Sequence, residues 1–235
     1  MKAEIKERKE VASETLLVVF DLLGKNVEFK PGQFFFVELI DPPHADDKGG
    51  RRHFSFVNSP REKGFITMAT RLRDSAFKKS LAEMPLGSEV VIVDGGGDFT
   101  LPDEEEKPLV LVAGGIGITP FISMTRYVME AGLDYHISLL YSNRDRQSAA
   151  FLEELENRAR NNDHLELILT MTDDPAWEGE TRKIDGEFIS DYVKDPGSNT
   201  FFVAGPPAMN EAVLSELVKL GIGKDAVKVS DFAGY

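Results

Sequence analysis

The sequence predicts a two-domain fold, in which an antiparallel β-barrel is followed by an α/β domain with a five-stranded parallel sheet. The first hundred or so residues contain short apolar or alternating runs separated by turn residues, a pattern typical of a barrel or sandwich. From residue 109 onward, apolar strands alternate with helical segments, which is typical of a parallel sheet covered on both faces. An acidic run, Asp103 to Glu106, separates the halves, so the predicted domains are 1–103 and 107–235.

The predicted strands of the first domain are bounded by turn residues such as Pro31-Gly32 and Ser59-Pro60. They cover residues 10–22, 34–40, 53–58, 65–71 and 89–93. One helical segment interrupts them, from Asp74 or Ser75 to Met84. Either residue suits the cap of this helix, and the helix N-terminus also suits a phosphate group. Both interpretations hold together if the ligand is a dinucleotide.

The second domain alternates more regularly. Its predicted strands cover residues 109–113, 137–141, 165–170, 200–204 and 227–229. Its predicted helices cover residues 120–131, 149–161, 186–192 and 207–220. Ligands of such sheets bind at the carboxyl ends of the strands, so the segments that follow the strands are the first candidates for a site.

The stretch that follows the first of these strands is uncharged and rich in glycine. It turns through Gly114, Gly115 and Gly117 and restarts as a helix at Thr119-Pro120. A glycine turn that leads into a helix N-terminus allows backbone N–H groups to approach a phosphate closely. The spacing is not that of the common G-x-G-x-x-G dinucleotide motif. The alternative is a strand-to-helix turn whose glycines serve packing only.

Two further strands are followed by polar or glycine-containing segments. Tyr141-Ser142-Asn143-Arg144 would present polar groups to the ribose or an attached phosphate of a nucleotide, or is simply a polar loop. Gly205-Pro206-Pro207 repeats the arrangement of strand, glycine, proline and helix, and a structural turn alone would also explain it. Their shared sheet edge with Gly114 predicts a common cleft.

Composition excludes several function classes. The chain has no cysteine, which excludes disulfides, thiolate nucleophiles and cysteine-bound metals, and its four scattered histidines predict no metal site. A net charge of -13 disfavours nucleic-acid binding. Glycines and prolines interrupt the long uncharged run, so no membrane span is expected. The charged first ten residues carry no apolar signal region, and a cytoplasmic location is the expectation.

Taken in order, several motifs resemble those of the ferredoxin–NADP reductase superfamily of flavoproteins. They are Pro31-Gly32-Gln33, Arg52-His53-Phe54-Ser55, the turn from Gly114 to Pro120, Gly205-Pro206-Pro207 and the closing Asp231-Phe232-Ala233-Gly234-Tyr235. The resemblance covers essentially the whole chain. It implies an FAD-binding barrel, an NAD(P)-binding α/β domain, and hydride transfer from NAD(P)H to the flavin.

The resemblance also implies roles for individual residues. Arg52 would contact the flavin phosphate, Phe54 would pack against the flavin, and Ser55 would approach its reactive nitrogen. The other residues assigned to cofactor binding are His53, Ala69, Thr70, Ser75, Gly114, Gly115, Gly117, Thr119, Ser142, Arg144, Gly205 and Pro206. Phe232 or Tyr235 would cover the flavin ring and is counted, with Ser55, among the catalytic candidates.

The sequence departs from the family pattern at three positions. Phe54 replaces the usual Tyr, Ala204 stands where many members have Cys, and Ser230 holds the position of a Glu if Phe232 is the terminal aromatic residue. These changes leave a non-enzymatic flavin- or nucleotide-binding regulator as one alternative function. The other alternative is an electron-transfer subunit of a larger complex.

The expected partner is a separate redox protein that accepts electrons, such as a ferredoxin, a flavodoxin or an oxygenase component. An acidic partner would need a local basic face on this acidic chain. The candidates for that face are Arg71, Arg73, Lys78 and Lys79.

Overall fold

The computed structural model describes residues 1–102 and 107–232, and the chain divides into two compact units. The first unit contains residues 1–101 and the helix Thr119–Ala131. The second contains the described residues of 102–118 and 132–232. The helix therefore belongs to the first unit, whereas the boundary predicted at residues 103–107 places it in the second domain.

The first unit is built on a six-stranded antiparallel sheet. Its strands are β1 (Lys2–Ala12), β2 (Thr15–Asp21), β3 (Phe34–Leu39), β4 (Arg51–Ser55), β5 (Phe65–Arg71) and β6 (Glu89–Gly96), in the order β4-β3-β6-β1-β2-β5. Beyond β4 the chain turns onto β5, where Val57 N–H donates to Thr67 O (2.9 Å) and Thr67 N–H donates to Asn58 Oδ1 (2.9 Å). These bonds join the two edge strands, and the predicted antiparallel barrel is confirmed.

One predicted strand is wrong: residues 10–22 are not a single strand but parts of two. β1 and β2 form a hairpin whose turn contains Ser13 and Glu14, and Glu14 has a positive φ of 53°. The strand Lys2–Ala12 gives no clear sequence signal because charged residues occupy most of its positions. Only its inward residues, Ala3 and Ile5, are fully buried, so the apolar alternation is short.

Helix α1 (Ala76–Glu83) and the inward faces of the strands form the apolar core of the first unit. Helix α2 (Thr119–Ala131) contacts the residues that follow β4. Ser123 Oγ donates to Asn58 O (2.8 Å), and Arg126 Nη1 donates to Val57 O (3.3 Å). These polar bonds and an almost fully buried first half explain why α2 clusters with the barrel.

Gly32 is required where the barrel meets α2. Its φ is 95°, and an added Cβ would lie 2.1 Å from Phe99 O and 2.4 Å from Met124 Cε. We expect Gly32→Ala to lower the free energy of unfolding by about 3 kcal/mol, because the strained backbone and the overlap act together. Gly24→Ala is the control: its φ is 77° but nothing lies within 4 Å, so about 1 kcal/mol is expected. Equal losses in urea melts would contradict this explanation.

The second unit is built on a five-stranded parallel sheet, and this prediction is confirmed. Its strands are β7 (Leu109–Gly114), β8 (Ile137–Asn143), β9 (Leu165–Met171), β10 (Thr200–Gly205) and β11 (Val227–Asp231), in the order β11-β10-β7-β8-β9. Its helices are α3 (Leu152–Arg160), α4 (Gly186–Tyr192) and α5 (Pro207–Lys219). β7 is buried throughout, as expected for a central strand.

Candidate functional site

In the first unit, candidate residues meet at the N-terminus of α1. Ser75 caps this helix by position, with extended backbone angles, but its side chain makes no capping hydrogen bond. The hydroxyl therefore does not satisfy the N–H groups of the first helical turn. Uncapped N–H groups at a helix N-terminus favour an anion.

Lys78 lies in the first turn of α1 and is only 3% exposed. Its ammonium group donates to Arg71 O (2.9 Å). Burial, followed by the nearby charges of Arg73 and Arg52, lowers the pKa of Lys78 from its ordinary value of 10.5 to about 8. A buried ammonium beside two guanidinium groups is costly unless an anion joins them.

Arg52 lies on β4 close to the same helix, with its guanidinium carbon 5.5 Å from the centre of the Phe77 ring. The side chain is held by the loop that precedes the strand. Nη1 donates to the backbone carbonyls of Lys48, Gly49 and Arg51, each at 2.8 Å, and Nη2 lies 3.3 Å from the Asp46 carboxylate. Its charge is therefore at α1, while part of its hydrogen-bonding capacity is used within the protein.

The other residues of the β4 motif divide between the two faces of the strand. Phe54 is almost buried and packs near Phe77, with ring centres 5.8 Å apart. His53 lies between Phe34 and Phe36 instead, and burial lowers its pKa. The structure thus brings Arg52 and Phe54 to α1 and separates His53 from them.

The remaining candidates in the first unit are less accessible or differently paired. Ala69 and Thr70 are buried on β5, and Ser55 is almost buried at the end of β4. Lys79 is exposed but pairs with Asp74 at 2.7 Å, a contact that lowers the pKa of Asp74. Burial removes Lys78 from the expected basic docking face, whereas Lys79 and Arg73 are exposed and their part in that face stays a prediction.

In the second unit, the glycine turn forms a 3-10 helix, Gly115–Ile118, directly after β7. An added Cβ on Gly114 would lie 2.2 Å from Met209 Sδ, and one on Gly117 would lie 2.2 Å from Ala204 O. Gly115 has a positive φ of 53°. The turn thus packs closely on β10 and α5. Its glycines have no side chains that could cover the backbone N–H groups of the turn. Packing and phosphate approach are compatible here.

The order of the strands places the turn at the switch point of the sheet. From β7 the chain first adds β8 and β9 on one side, then returns to add β10 and β11 on the other. The carboxyl ends of β7 and β10, at Gly114 and Gly205, lie side by side, since a Cβ added to Gly205 would lie 3.3 Å from the Gly114 backbone. Open α/β sheets bind ligands at this point.

Other candidates lie along the same edge. Ser142 pairs in register with Gly114 and is half-buried, and Arg144 is exposed. Pro206 is exposed next to the buried Gly205. Phe232 N–H donates to Gly205 O (3.0 Å), which fixes the chain after β11 at this edge. Tyr235 lies outside the described residues.

Thr119 is the first residue of α2 and is buried, and the helix follows the 3-10 turn without a break.

Two buried polar residues gain importance only from the structure. Lys78 is expected on the surface, although its place between Phe77 and Leu81 on the apolar face of α1 is a sequence signal for a buried cation. Asn143, at the end of β8, is buried and neither of its side-chain amide atoms has a hydrogen-bond partner. Nothing in the sequence distinguishes it from the polar residues around it.

Residues 1–102 and 107–232 were searched for metal-binding groups and for helices that could span a membrane. Within them, no group of three or more His, Asp or Glu side chains is arranged to hold a metal ion. No helix in these ranges is both long and apolar enough to cross a membrane.

Comparison with known proteins supports the second unit as a nucleotide-binding domain. The family model of the oxidoreductase NAD-binding domain matches residues 111–215. Among curated proteins, a component of the Na(+)-translocating NADH-quinone reductase from Idiomarina loihiensis is 28% identical over 78% of this chain. The match covers 49% of that relative, so the chain spans about half of its length.

Solved structures share the fold of nearly the whole chain. The flavohem-like FAD/NAD binding domain of nitric oxide dioxygenase from Vibrio cholerae matches with a TM-score of 0.87 and 17% identity, covering 99% of this chain and 98% of that one. A ferredoxin NADP+ reductase from Neisseria gonorrhoeae with bound FAD and NADP matches with a TM-score of 0.81 and 17% identity, covering 98% of both chains. These matches confirm the two-domain fold that the resemblance implies.

Proposed function

We propose that this chain, which has the fold of the ferredoxin–NADP reductase superfamily, is an NAD(P)H-dependent flavoprotein reductase that binds FAD and passes electrons to a separate acceptor. The observation that carries the proposal is the buried ammonium group of Lys78 at the uncapped N-terminus of α1. A diphosphate there would offset most of the positive charge of Lys78, Arg52 and Arg73, and would accept hydrogen bonds from the helix.

The first unit would hold FAD by its diphosphate. Lys78 and the first-turn N–H groups of α1 supply donors, and the Ser75 hydroxyl, which is not used as a cap, adds one more. Arg52 supplies charge from β4, while its contact with Asp46 keeps it in place. The choice of FAD over FMN follows from the resemblance.

The second unit would hold NAD(P)H across the carboxyl edge of its sheet. The turn at Gly115 offers backbone N–H groups to the pyrophosphate, and the ends of β10 and β8 lie on either side of it. The matched oxidoreductase NAD-binding domain supports this assignment. By the resemblance, Gly205 and Pro206 border the nicotinamide, and Ser142 and Arg144 lie toward the other end of the nucleotide.

Bound FAD would supply the redox chemistry, namely acceptance of a hydride from the nicotinamide and release of electrons to the acceptor. The task of the protein is to orient the two cofactors and exclude water. Ser55 would hydrogen-bond the flavin ring, and an aromatic residue at the C-terminus, Phe232 or Tyr235, would cover it. Hydride transfer requires no acid–base pair, so the proposed reaction needs no catalytic His or carboxylate.

The proposed electron acceptor is a separate redox protein. The curated relative is one component of an NADH-quinone reductase, and a structural neighbour is the FAD/NAD domain of a nitric oxide dioxygenase. The first name describes one subunit of an NADH-dependent reductase, and the second describes an FAD/NAD binding domain that is part of a dioxygenase. We infer for this chain a redox protein as partner and a cytoplasmic location.

Anaerobic absorbance spectroscopy of the FAD-loaded protein tests the proposed function. We expect the flavin bands to bleach on addition of NADH or NADPH, because hydride transfer reduces the ring. Bands that persist with both donors would instead support a non-enzymatic flavin-binding regulator, the role that the replacement of Cys by Ala204 would favour. Failure to bind FAD at all would overturn the assignment of the first unit.

A further inference from the structure

Two buried asparagines in the second unit form a natural pair for comparison. Asn199 and Asn143 are 5% and 6% exposed. Asn199 precedes β10, at the amino edge of the sheet, and its Nδ2 donates to Lys194 O (3.0 Å) and Asp195 O (2.8 Å). Asn143 ends β8 at the carboxyl edge, and neither Nδ2 nor Oδ1 has a hydrogen-bond partner. The asparagine side chain is thus hydrogen-bonded at the amino edge of the sheet and has no hydrogen bond at the carboxyl edge.

The position of Asn143 points to the glycine turn. Ser142 pairs with Gly114, the last residue of β7, so Asn143 lies one residue beyond the end of that strand. The residues of β8 alternate between the faces of the sheet, and Leu140 packs into the cluster that contains α4 and α5. Asn143 therefore lies on the opposite face, at the level of the turn Gly115–Ile118, where a ligand of the sheet would bind.

An unpartnered buried amide is destabilising, and natural proteins contain few of them. The two free atoms also define the missing partner. Nδ2 needs an acceptor and Oδ1 needs a donor, whereas an ionised phosphate offers acceptors only. A nucleoside offers both, either as a ribose hydroxyl or as the edge of an adenine base, which Asn contacts through paired hydrogen bonds.

We propose that the Asn143 side chain binds the adenosine portion of NAD(P)H, donating one hydrogen bond and accepting another. This inference rests on the proposed function. In the sheet order β10-β7-β8, the resemblance places the nicotinamide at Gly205 on β10 and the pyrophosphate at the turn after β7. A dinucleotide laid across these strand ends brings its adenosine to β8, where Asn143 lies.

The test compares Asn143→Leu with Asn199→Leu, which remove the same amide at similar size. We expect Asn143→Leu to raise Tm by about 2–4 °C, because a buried unsatisfied group is lost. We expect it to weaken ADP binding about tenfold or more, because two ligand hydrogen bonds are lost. Asn199→Leu should lower Tm, because two hydrogen bonds are lost, and should leave the affinity of the folded protein for ADP unchanged. If the leucine at position 143 prevents folding, Asn143→Ser reports on the same contact.

Three probes identify the group that is bound. ADP contains adenine, ribose and diphosphate, GDP replaces the base, and pyrophosphate lacks the nucleoside. Weakened binding of both nucleotides assigns the contact to the ribose, and weakened binding of ADP alone assigns it to adenine. Either result supports the proposal. Equal weakening of pyrophosphate, or unchanged ADP affinity in Asn143→Leu, overturns it.

Bleaching of the wild-type flavin by NADH or NADPH, measured alongside, reports on the proposed function independently. If the wild type bleaches and Asn143→Leu binds ADP normally, only the role of Asn143 fails. If the wild type neither bleaches nor binds ADP, both fail together.

Discussion

Gly117→Ala is expected to slow reduction of the flavin by NAD(P)H about a hundredfold while leaving FAD bound. The new Cβ would lie 2.2 Å from Ala204 O, 2.6 Å from Ala204 C and 2.8 Å from Gly205 N, all backbone atoms of β10. Either the turn or the end of β10 must move, and both belong to the proposed nucleotide site. A displacement of about 1 Å can cost about a hundredfold in rate. Stopped-flow absorbance of the FAD-loaded variant measures the effect.

Gly197→Ala is the matched control in the same unit, since nothing lies within 4 Å of its added Cβ and its φ is not in the left-handed region. Its rate of flavin reduction should equal that of the wild type. FAD content should be unchanged in both variants. A Gly117→Ala protein that reduces its flavin at the normal rate would show that the turn does not position the nucleotide.

Most of the second unit could be predicted from the sequence, because its three central strands, β10, β7 and β8, are largely apolar runs bounded by turn residues. α4 is predicted to the residue, and α5 to within one. The start of the barrel could not be predicted in this way. β1 carries charged residues at most positions, and its pairing with β2 depends on a turn at Glu14 that no glycine or proline marks.

The candidate site divides along similar lines. Glycines at Gly114 and Gly117 signal close approach, and the structure shows the atoms they approach. The place of Lys78 on the apolar face of α1 signals burial, but the sequence does not show the two guanidinium groups beside it. Asn143 has no local signal, because only burial and missing hydrogen bonds in the folded chain distinguish it from ordinary polar residues.

Lys78→Met is expected to stabilise the FAD-free protein and to weaken FAD binding. Without an anion, the buried ammonium repels Arg73 and Arg52, so its removal should raise the free energy of unfolding at pH 7 by about 1–3 kcal/mol. The same change removes a charge-assisted hydrogen bond to the diphosphate, and FAD affinity should fall about 10- to 100-fold. Urea melts of the FAD-free protein and flavin fluorescence titrations measure the two effects.

The lowered pKa of Lys78 also predicts how both quantities vary with pH. Because this pKa is about 8 in the folded protein against 10.5 ordinarily, the unfolded chain holds more protons between these values, and stability should rise with pH in that window. FAD affinity should fall as the pH rises. Below pH 8 Lys78 is charged and ready to bind the diphosphate, whereas above pH 8 binding must first take up a proton, so affinity falls.

Lys79→Met is the control for both measurements, because it removes the neighbouring lysine, which is exposed and pairs with Asp74 on the surface. Such a pair contributes about 0–1 kcal/mol, so stability and FAD affinity should change little. The decline in FAD affinity above pH 8 should persist in Lys79→Met and disappear in Lys78→Met. If Lys78→Met instead binds FAD as tightly as the wild type at neutral pH, the diphosphate does not bind at the N-terminus of α1, and the observation that carries the proposed flavin site is removed.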